Sequence, residues 1–233
     1  ARLAPIAEEL LADIDRETMD AFALASHRRA AAADAAGRFD GERLALANAA
    51  GERVAKDTNI RADTSAERLA GLDPVFLEGG RVTAGNSSPL TSGAAAALLM
   101  SEHALARHGA TPLARVVGVA DCGVAPERMG AGAAAAIRRV LVQTGLHVDD
   151  IDIWEINEAF AAVPLHAMGK LALDPERVNV WGGALALGHP LGATGIRLAG
   201  TLARILRTEG KRYGCAAACI GGGQGIAVIL ERV

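Results

Sequence analysis

The sequence predicts an α/β architecture with helices packed against a mixed sheet, and three observations carry that prediction. Strand-like and helix-like segments alternate through residues 113–233. The last two strand-like runs, 214–220 and 225–231, are joined by a four-residue turn rich in glycine, which makes them an antiparallel hairpin. Aromatic residues make up only 3% of the chain, so alanine and glycine do the filling and helix can approach sheet closely.

The elements follow in order. Residues 16–36 place Met19, Phe22, Ala23, Ser26 and Ala30 at helical spacing, with Gly37 as the stop. Residues 38–90 are punctuated by Gly41, Gly51, Gly71, Pro74, Gly79, Gly80 and Pro89, and read as an excursion rather than a regular layer. The charges there (Arg53, Lys56, Asp57, Arg61, Asp63, Glu67 and Arg68) read as a solvated face. A helix is predicted from Ser92 to His108, burying Ala94, Leu98 and Leu99 and ending at Gly109. Residues 114–120 then read as a strand and 132–144 as a helix. Residues 151–155 alternate as a strand, and a helix over 158–170 starts directly after Asn157. A short strand, Val178 to Trp181, leads into a glycine-rich turn and a helix over 192–208. A domain boundary is expected at 109–113, where Gly109 and Pro112 fall.

Composition narrows the function. Apolar residues are 51% of the chain, enough for a sizeable core, and the formal charge is −3. There is no basic block and no basic–aromatic interleaving, which argues against nucleic acid. No apolar run reaches membrane-spanning length. The cysteines Cys122, Cys215 and Cys219 are odd in number and lack framework or zinc spacing, which points to a reducing compartment and no metal. The first residues carry no initiator Met and no secretory pattern, so they read as the middle of a longer sequence or as a start with its Met trimmed. A cytoplasmic location is the default expectation.

Three constellations carry chemistry. Asn157, in Trp154-Glu-Ile-Asn-Glu-Ala-Phe160, sits where a strand gives way to a helix. It is either a helix cap or a working amide. His189, between Gly188 and Pro190 and just before a helix, is held in a rigid turn. The helix N-terminus disfavours its imidazolium form, and a neutral ring can accept a proton or donate an N–H to an oxyanion. Its alternative is a buried ring bonded to backbone. Cys219 ends a strand before Ile220-Gly221-Gly222-Gly223, where glycines let backbone N–H groups turn toward a ligand. It is either a working thiol or a buried residue beside a tight hairpin. Gly85-Asn-Ser-Ser88 is a polar turn that meets a ligand or merely orders its loop. An amide, an imidazole and a thiol at element ends suit a carbonyl that needs an oxyanion site beside a carbon that must lose a proton.

These motifs resemble one family, the thiolases or acyl-CoA acetyltransferases. Asn157-Glu-Ala-Phe160, Gly188-His189-Pro190 and Cys219-Ile-Gly221-Gly-Gly are similar to its three motifs and follow its order. Gly85-Asn-Ser-Ser88 resembles its pantetheine-contacting loop, with Pro89 and Thr91-Ser92-Gly93 departing from the commoner residues.

The resemblance implies the thiolase fold, layered α-β-α-β-α in the complete enzyme. Here it implies a loop-domain portion over 1–92, a returning helix over 93–112 and a C-terminal core domain over 113–233. It implies Claisen cleavage of a 3-ketoacyl-CoA, or the reverse condensation, with coenzyme A as substrate and no prosthetic group. His189 would activate a nucleophilic cysteine and donate to one oxyanion, with Asn157 holding a water as second donor. Cys219 would move the α-proton, and the Gly221 N–H would help form the other oxyanion hole. Ser88 and Arg61 would meet coenzyme A, with a solvated arginine as the alternative for Arg61. Met129 and Phe160 would line the acyl pocket, compatibly with plain core packing.

The nucleophile's own motif is not found. Cys122 lies outside that context, and Cys215 reads as a buried strand residue. The resemblance therefore implies a partner: an N-terminal half or companion chain bearing the nucleophile, in a dimer or tetramer. Alone, the chain is expected to be inactive. The alternatives are a non-catalytic coenzyme-A-binding or assembly fragment, and a ketoacyl-synthase-like condensing enzyme, against which the Cys219 motif argues.

Overall fold

The computed structural model describes residues 14–233. Helix α1 (Arg16–Ala35) starts at Asp15, whose carboxylate accepts from Thr18 N at 2.7 Å, and the chain turns away at Gly37 with φ +68°. It buries Met19, Ala23, Ser26 and Ala30. The excursion that follows holds a two-residue hairpin, β1 (Leu46–Ala47) with β2 (Arg53–Val54), and a short α2 (Ala66–Ala70). The expected charge run through it is exposed throughout.

The remainder is built on a four-stranded mixed sheet. Its strands are β3 (Ala114–Gly123), β4 (Ile153–Ile156), β5 (Tyr213–Ile220) and β6 (Gln224–Arg232), in the order β3-β6-β5-β4. The β5–β6 hairpin is antiparallel, as its glycine turn requires, and β4 runs parallel to β5. Helices α4 (Gly132–Thr144) and α5 (Ala162–Leu171) cover one face, with Ile137, Val140, Trp154, Cys215 and Ile229 in a common core. Helix α7 (Leu191–Thr208) covers the other through Leu198, Leu202, Ile205 and Leu206. Cys215 and Cys219 lie on one face, as their spacing in a strand demands.

Four expectations are corrected. The helix over 92–108 forms only as α3 (Glu102–His108). Leu98 and Leu99 are 81% and 79% exposed, and Ala94 is exposed too. An alanine-rich helix needs a face to pack against, and among the described residues nothing covers this one. The helix expected at 158 starts instead at Ala162. Residues 157–161 are tied elsewhere: Asn157 N donates to Ala217 O at 2.9 Å, Ser88 N to Ala159 O at 3.0 Å and Ala161 N to Asn86 O at 2.9 Å.

The strand over 178–181 reduces to a single bridge between Val178 and Trp154, because Asn179 takes a left-handed φ of +48°. A one-turn helix, α6 (Ala184–Leu187), occupies the glycine-rich turn. Lastly, β4 does not alternate. All four residues are buried, Glu155 included, because helices cover both of its faces.

Candidate active site

Asn157 follows the last residue of β4, and its N–H donates to Ala217 O on β5 at 2.9 Å. This fixes it beside the end of β5, where Cys219 lies two residues on. It does not cap α5, whose first turn has no side-chain cap. Its carboxamide turns instead to His189, with Nδ2 3.2 Å from Nε2.

The hydrogen-bond distances favour one histidine tautomer. Thr194 Oγ1 donates its one proton to Pro190 O at 3.0 Å. With its proton on Pro190 O it accepts from His189 Nδ1, which is 2.7 Å away. Nδ1 carries the proton, and Nε2 presents a lone pair to the Asn157 amide. That assigns Asn157 Nδ2 to the histidine and leaves Oδ1, which is buried without a partner. Burial, and secondarily the Arg197 guanidinium, hold the His189 ring below the usual histidine range, so it is neutral at pH 7. The His189 N–H donates to Thr91 Oγ1 at 2.8 Å. Gly188, at φ +93°, admits that contact: a Cβ there would stand 2.7 Å from the Thr91 methyl.

Behind this relay lies a buried carboxylate. Glu158 accepts from Ser26 Oγ at 2.7 Å, Asn179 Nδ2 at 2.7 Å and Leu185 N at 3.0 Å. It ties α1, the 157–161 segment and the turn before His189 into one body. A side chain at Gly183 would collide with it. Asn179 in turn clamps the end of β4 through Ile156 N at 2.8 Å and Ile156 O at 2.9 Å. Burial raises the Glu158 carboxyl and pushes that of Glu155 up to about 8, although Arg197, 3.8 Å away, opposes the latter.

Cys219, one residue before the end of β5, has 6% of its surface exposed, and burial pushes its thiol up to about 11. It therefore rests as the acid form. Gly222 and Gly223 take φ +90° and +87°, which admits the tight turn, and Gly221 is exposed just ahead of them. Cys122 faces Gly225 from the other neighbouring strand, and its thiol sits 3.5 Å from Gly132 O. Burial raises the Cys122 and Cys215 thiols, so neither rests as a thiolate.

The remaining expected residues divide. Phe160 bridges to Ser87 beside Ser88 and stacks edge-on against Phe76 at 6.2 Å. Met129 is buried in the same core as Cys219. Arg61 stands apart: its N–H donates to His27 Nδ1 at 3.1 Å and its side chain is exposed. Thr91, Thr194, Glu158, Asn179 and Ser26 were not singled out in the sequence. A threonine five residues after His189, on a helix face that should be apolar, is the one local signal. Among the described residues no cluster of three or more His, Cys, Asp or Glu side chains could hold a metal ion. No helix among them is long and apolar enough to cross a membrane.

The family description "Thiolase, N-terminal domain" matches residues 4–103, and "Thiolase, C-terminal domain" matches 110–232. The mitochondrial 3-ketoacyl-CoA thiolase of Bos taurus is 45% identical over 221 residues, covering 94% of this chain and 56% of that protein. An acetyl-CoA acetyltransferase of Escherichia coli is 44% identical over 223 residues, covering 94% and 57%. Among solved structures, the acetyl-CoA acetyltransferase of Bacillus anthracis superposes with a TM-score of 0.94 at 43% identity, covering 99% of this chain and 60% of that one. Human mitochondrial 3-ketoacyl-CoA thiolase in complex with CoA superposes at 0.91 with 41% identity, covering 99% and 59%. The chain thus spans less than two thirds of the length of these relatives. Residues 4–103 contain no cysteine.

Proposed function

The chain belongs to the thiolase family, and on that premise we propose that it supplies the acid–base half of an acyl-CoA acetyltransferase site. The nucleophilic cysteine would come from polypeptide outside these 233 residues, either a longer chain or a companion. The reaction is thiolytic cleavage of a 3-ketoacyl-CoA, or the reverse condensation of acetyl-CoA. The arrangement of Asn157, His189 and Thr194, with its orphaned amide oxygen, is the observation that carries this reading.

His189 Nε2, held as a lone pair by the Thr194 contact, exchanges the Asn157 N–H it accepts at rest for the proton of the incoming thiol. The imidazolium so formed then points an Nε2–H at the oxyanion of the acyl enzyme. Asn157 Oδ1, buried and unpartnered, accepts one hydrogen of a water whose other hydrogen is the second donor. Cys219, resting as a thiol, gives its proton to the enolate of departing acetyl-CoA and takes it back in the condensing direction. The Gly221 N–H joins the other oxyanion hole. Ser88 and Arg61 contact coenzyme A, and Met129 and Phe160 shape the acyl pocket. The three-part division at residues 92 and 112, and assembly as a dimer or tetramer, belong to the same reading.

Denaturing intact-mass measurement identifies the species present, and thiolysis of acetoacetyl-CoA tests them. Activity is expected only when a nucleophile-bearing polypeptide is present, and it should fall by about 10²–10³ in His189→Ala, the loss of a key donor. Full activity from the 233-residue chain alone would refute the division of the site. A second reading, a non-catalytic scaffold, draws on the uncovered apolar side chains Leu90, Leu98 and Leu99. Coenzyme A binding without turnover, in the presence of a full partner, would favour it.

A further inference from the structure

A concavity lies beside α4 and α5. It measures about 410 Å³. Arg128, Arg138, His166 and Lys170 line it, over a floor made largely of Ala131, Ala134 and Ala135. The four basic side chains come from three elements. Arg128 lies in the 3-10 turn Pro126–Ala131, Arg138 on α4, and His166 and Lys170 one turn apart on α5. No carboxylate lines the concavity.

The four basic side chains share one concavity with no acid among its lining residues. Several arginines elsewhere face carboxylates, as Arg16 does Asp20 at 2.6 Å, Arg29 does Glu176 at 3.2 Å and Arg212 does Glu231 at 3.0 Å, and those left without one, such as Arg53, do not converge on a shared concavity. Arg128, Arg138 and Lys170 make no ion pair among the described residues. The chain as a whole carries −3, so an acid-free cluster of cations is not a by-product of composition. Cations brought together repel one another, and a bound anion relieves the repulsion. Arg138 is already oriented, since its guanidinium donates to Lys170 O at 2.8 Å. The alanine floor leaves room for a ligand between the long side chains.

We propose that this concavity is a binding site for a compact polyanion of the phosphate class, gripped by Arg128, Arg138 and Lys170 with His166 at its base. Guanidinium forks suit phosphate oxygens, and the volume matches a small molecule rather than an extended chain. None of its lining residues is a candidate catalytic group, so the site does not depend on the reading of the His189 relay. His166 links binding to pH. Burial first, and then the cations that face it, Lys170, Arg128 and Arg138, hold its ring below the usual histidine range. An anion favours its protonated form, so binding takes up a proton and strengthens as pH falls through the histidine range.

Calorimetric titration of the purified protein with inorganic pyrophosphate at low ionic strength tests this. Saturable binding is expected, at least tenfold weaker in Arg128→Gln/Lys170→Gln and unchanged in the exposed control Arg53→Gln. Both paired positions are exposed, so the variant should fold, which circular dichroism checks. The His166 ring resonances should titrate at higher pH with pyrophosphate than without. Absence of saturation, equal loss in the Arg53 control, or an unmoved His166 titration would overturn the proposal. So would binding of poly-glutamate with none of pyrophosphate, which would assign the surface to an acidic protein partner.

Discussion

Two stretches of this chain have similar alanine-rich composition and opposite fates. Residues 132–144 become a helix with Ala133, Ala136, Ile137 and Val140 fully buried against the sheet. Residues 92–101 become no helix, and their leucines stand in the open. The difference is not local propensity, since both are rich in the best helix former. It is whether another part of the chain supplies a surface for the apolar stripe. Secondary structure here is a consequence of having something to pack against.

The largest expected contrast separates these two regions. Leu202→Ala, on the fully buried face of α7, should cost about 2–5 kcal/mol, whereas Leu98→Ala should stay within about 0.5 kcal/mol. Urea unfolding of both variants measures it, and equal losses would show that residues 92–101 are packed after all. Next comes Glu158, which couples α1 to the turn that precedes His189. Glu158→Ala strands Ser26, Asn179 and the Leu185 N–H, and should cost about 3 kcal/mol. Removing the exposed Arg61 side chain by Arg61→Ala should cost little by the same unfolding measurement.

A smaller effect tests the tautomer. Thr194→Val keeps the shape but removes the acceptor for Nδ1–H, at about 1–3 kcal/mol. The ¹⁵N shifts of the ring should then lose their Nδ1–H signature.

Smallest is the pH response of His189. Its ring titrates below the unfolded value of 6.5, so between those two points the unfolded chain binds more protons than the native one. Stability from this group is therefore complete above pH 6.5 and declines as pH falls through the histidine range. In His189→Gln that part of the pH–stability slope should vanish.

The sheet domain was legible because each element carries its own period and its own stop. Helix α1 with Gly37, α4 over 132–144 and the β5–β6 hairpin all lie where the pattern puts them. Failures came where tertiary bonds outbid local pattern. Residues 157–161 look helical, yet the Ala159 carbonyl and the Ala161 amide go to the 86–88 turn and the Asn157 amide to β5. Residues 178–181 look extended, yet Asn179 is needed as a clamp on β4 and gives up the strand to serve it. In the site, Asn157, His189 and Cys219 stood out because amide, imidazole and thiol are conspicuous at element ends. Thr194, Glu158 and Asn179 did not, because their work depends on long-range partners that no short motif displays.

The central claim is that Cys219 is the proton carrier of a divided thiolase site. Deuterium exchange into the methyl group of acetyl-CoA tests it most directly, using the assembly that includes the nucleophile-bearing polypeptide. Replacing Cys219 by Ala should slow exchange by about 10²–10⁴, the usual worth of a positioned acid–base group, while coenzyme A binding is unchanged. Exchange that persists at the wild-type rate would contradict the assignment, and exchange lost together with coenzyme A binding would reduce Cys219 to a structural residue.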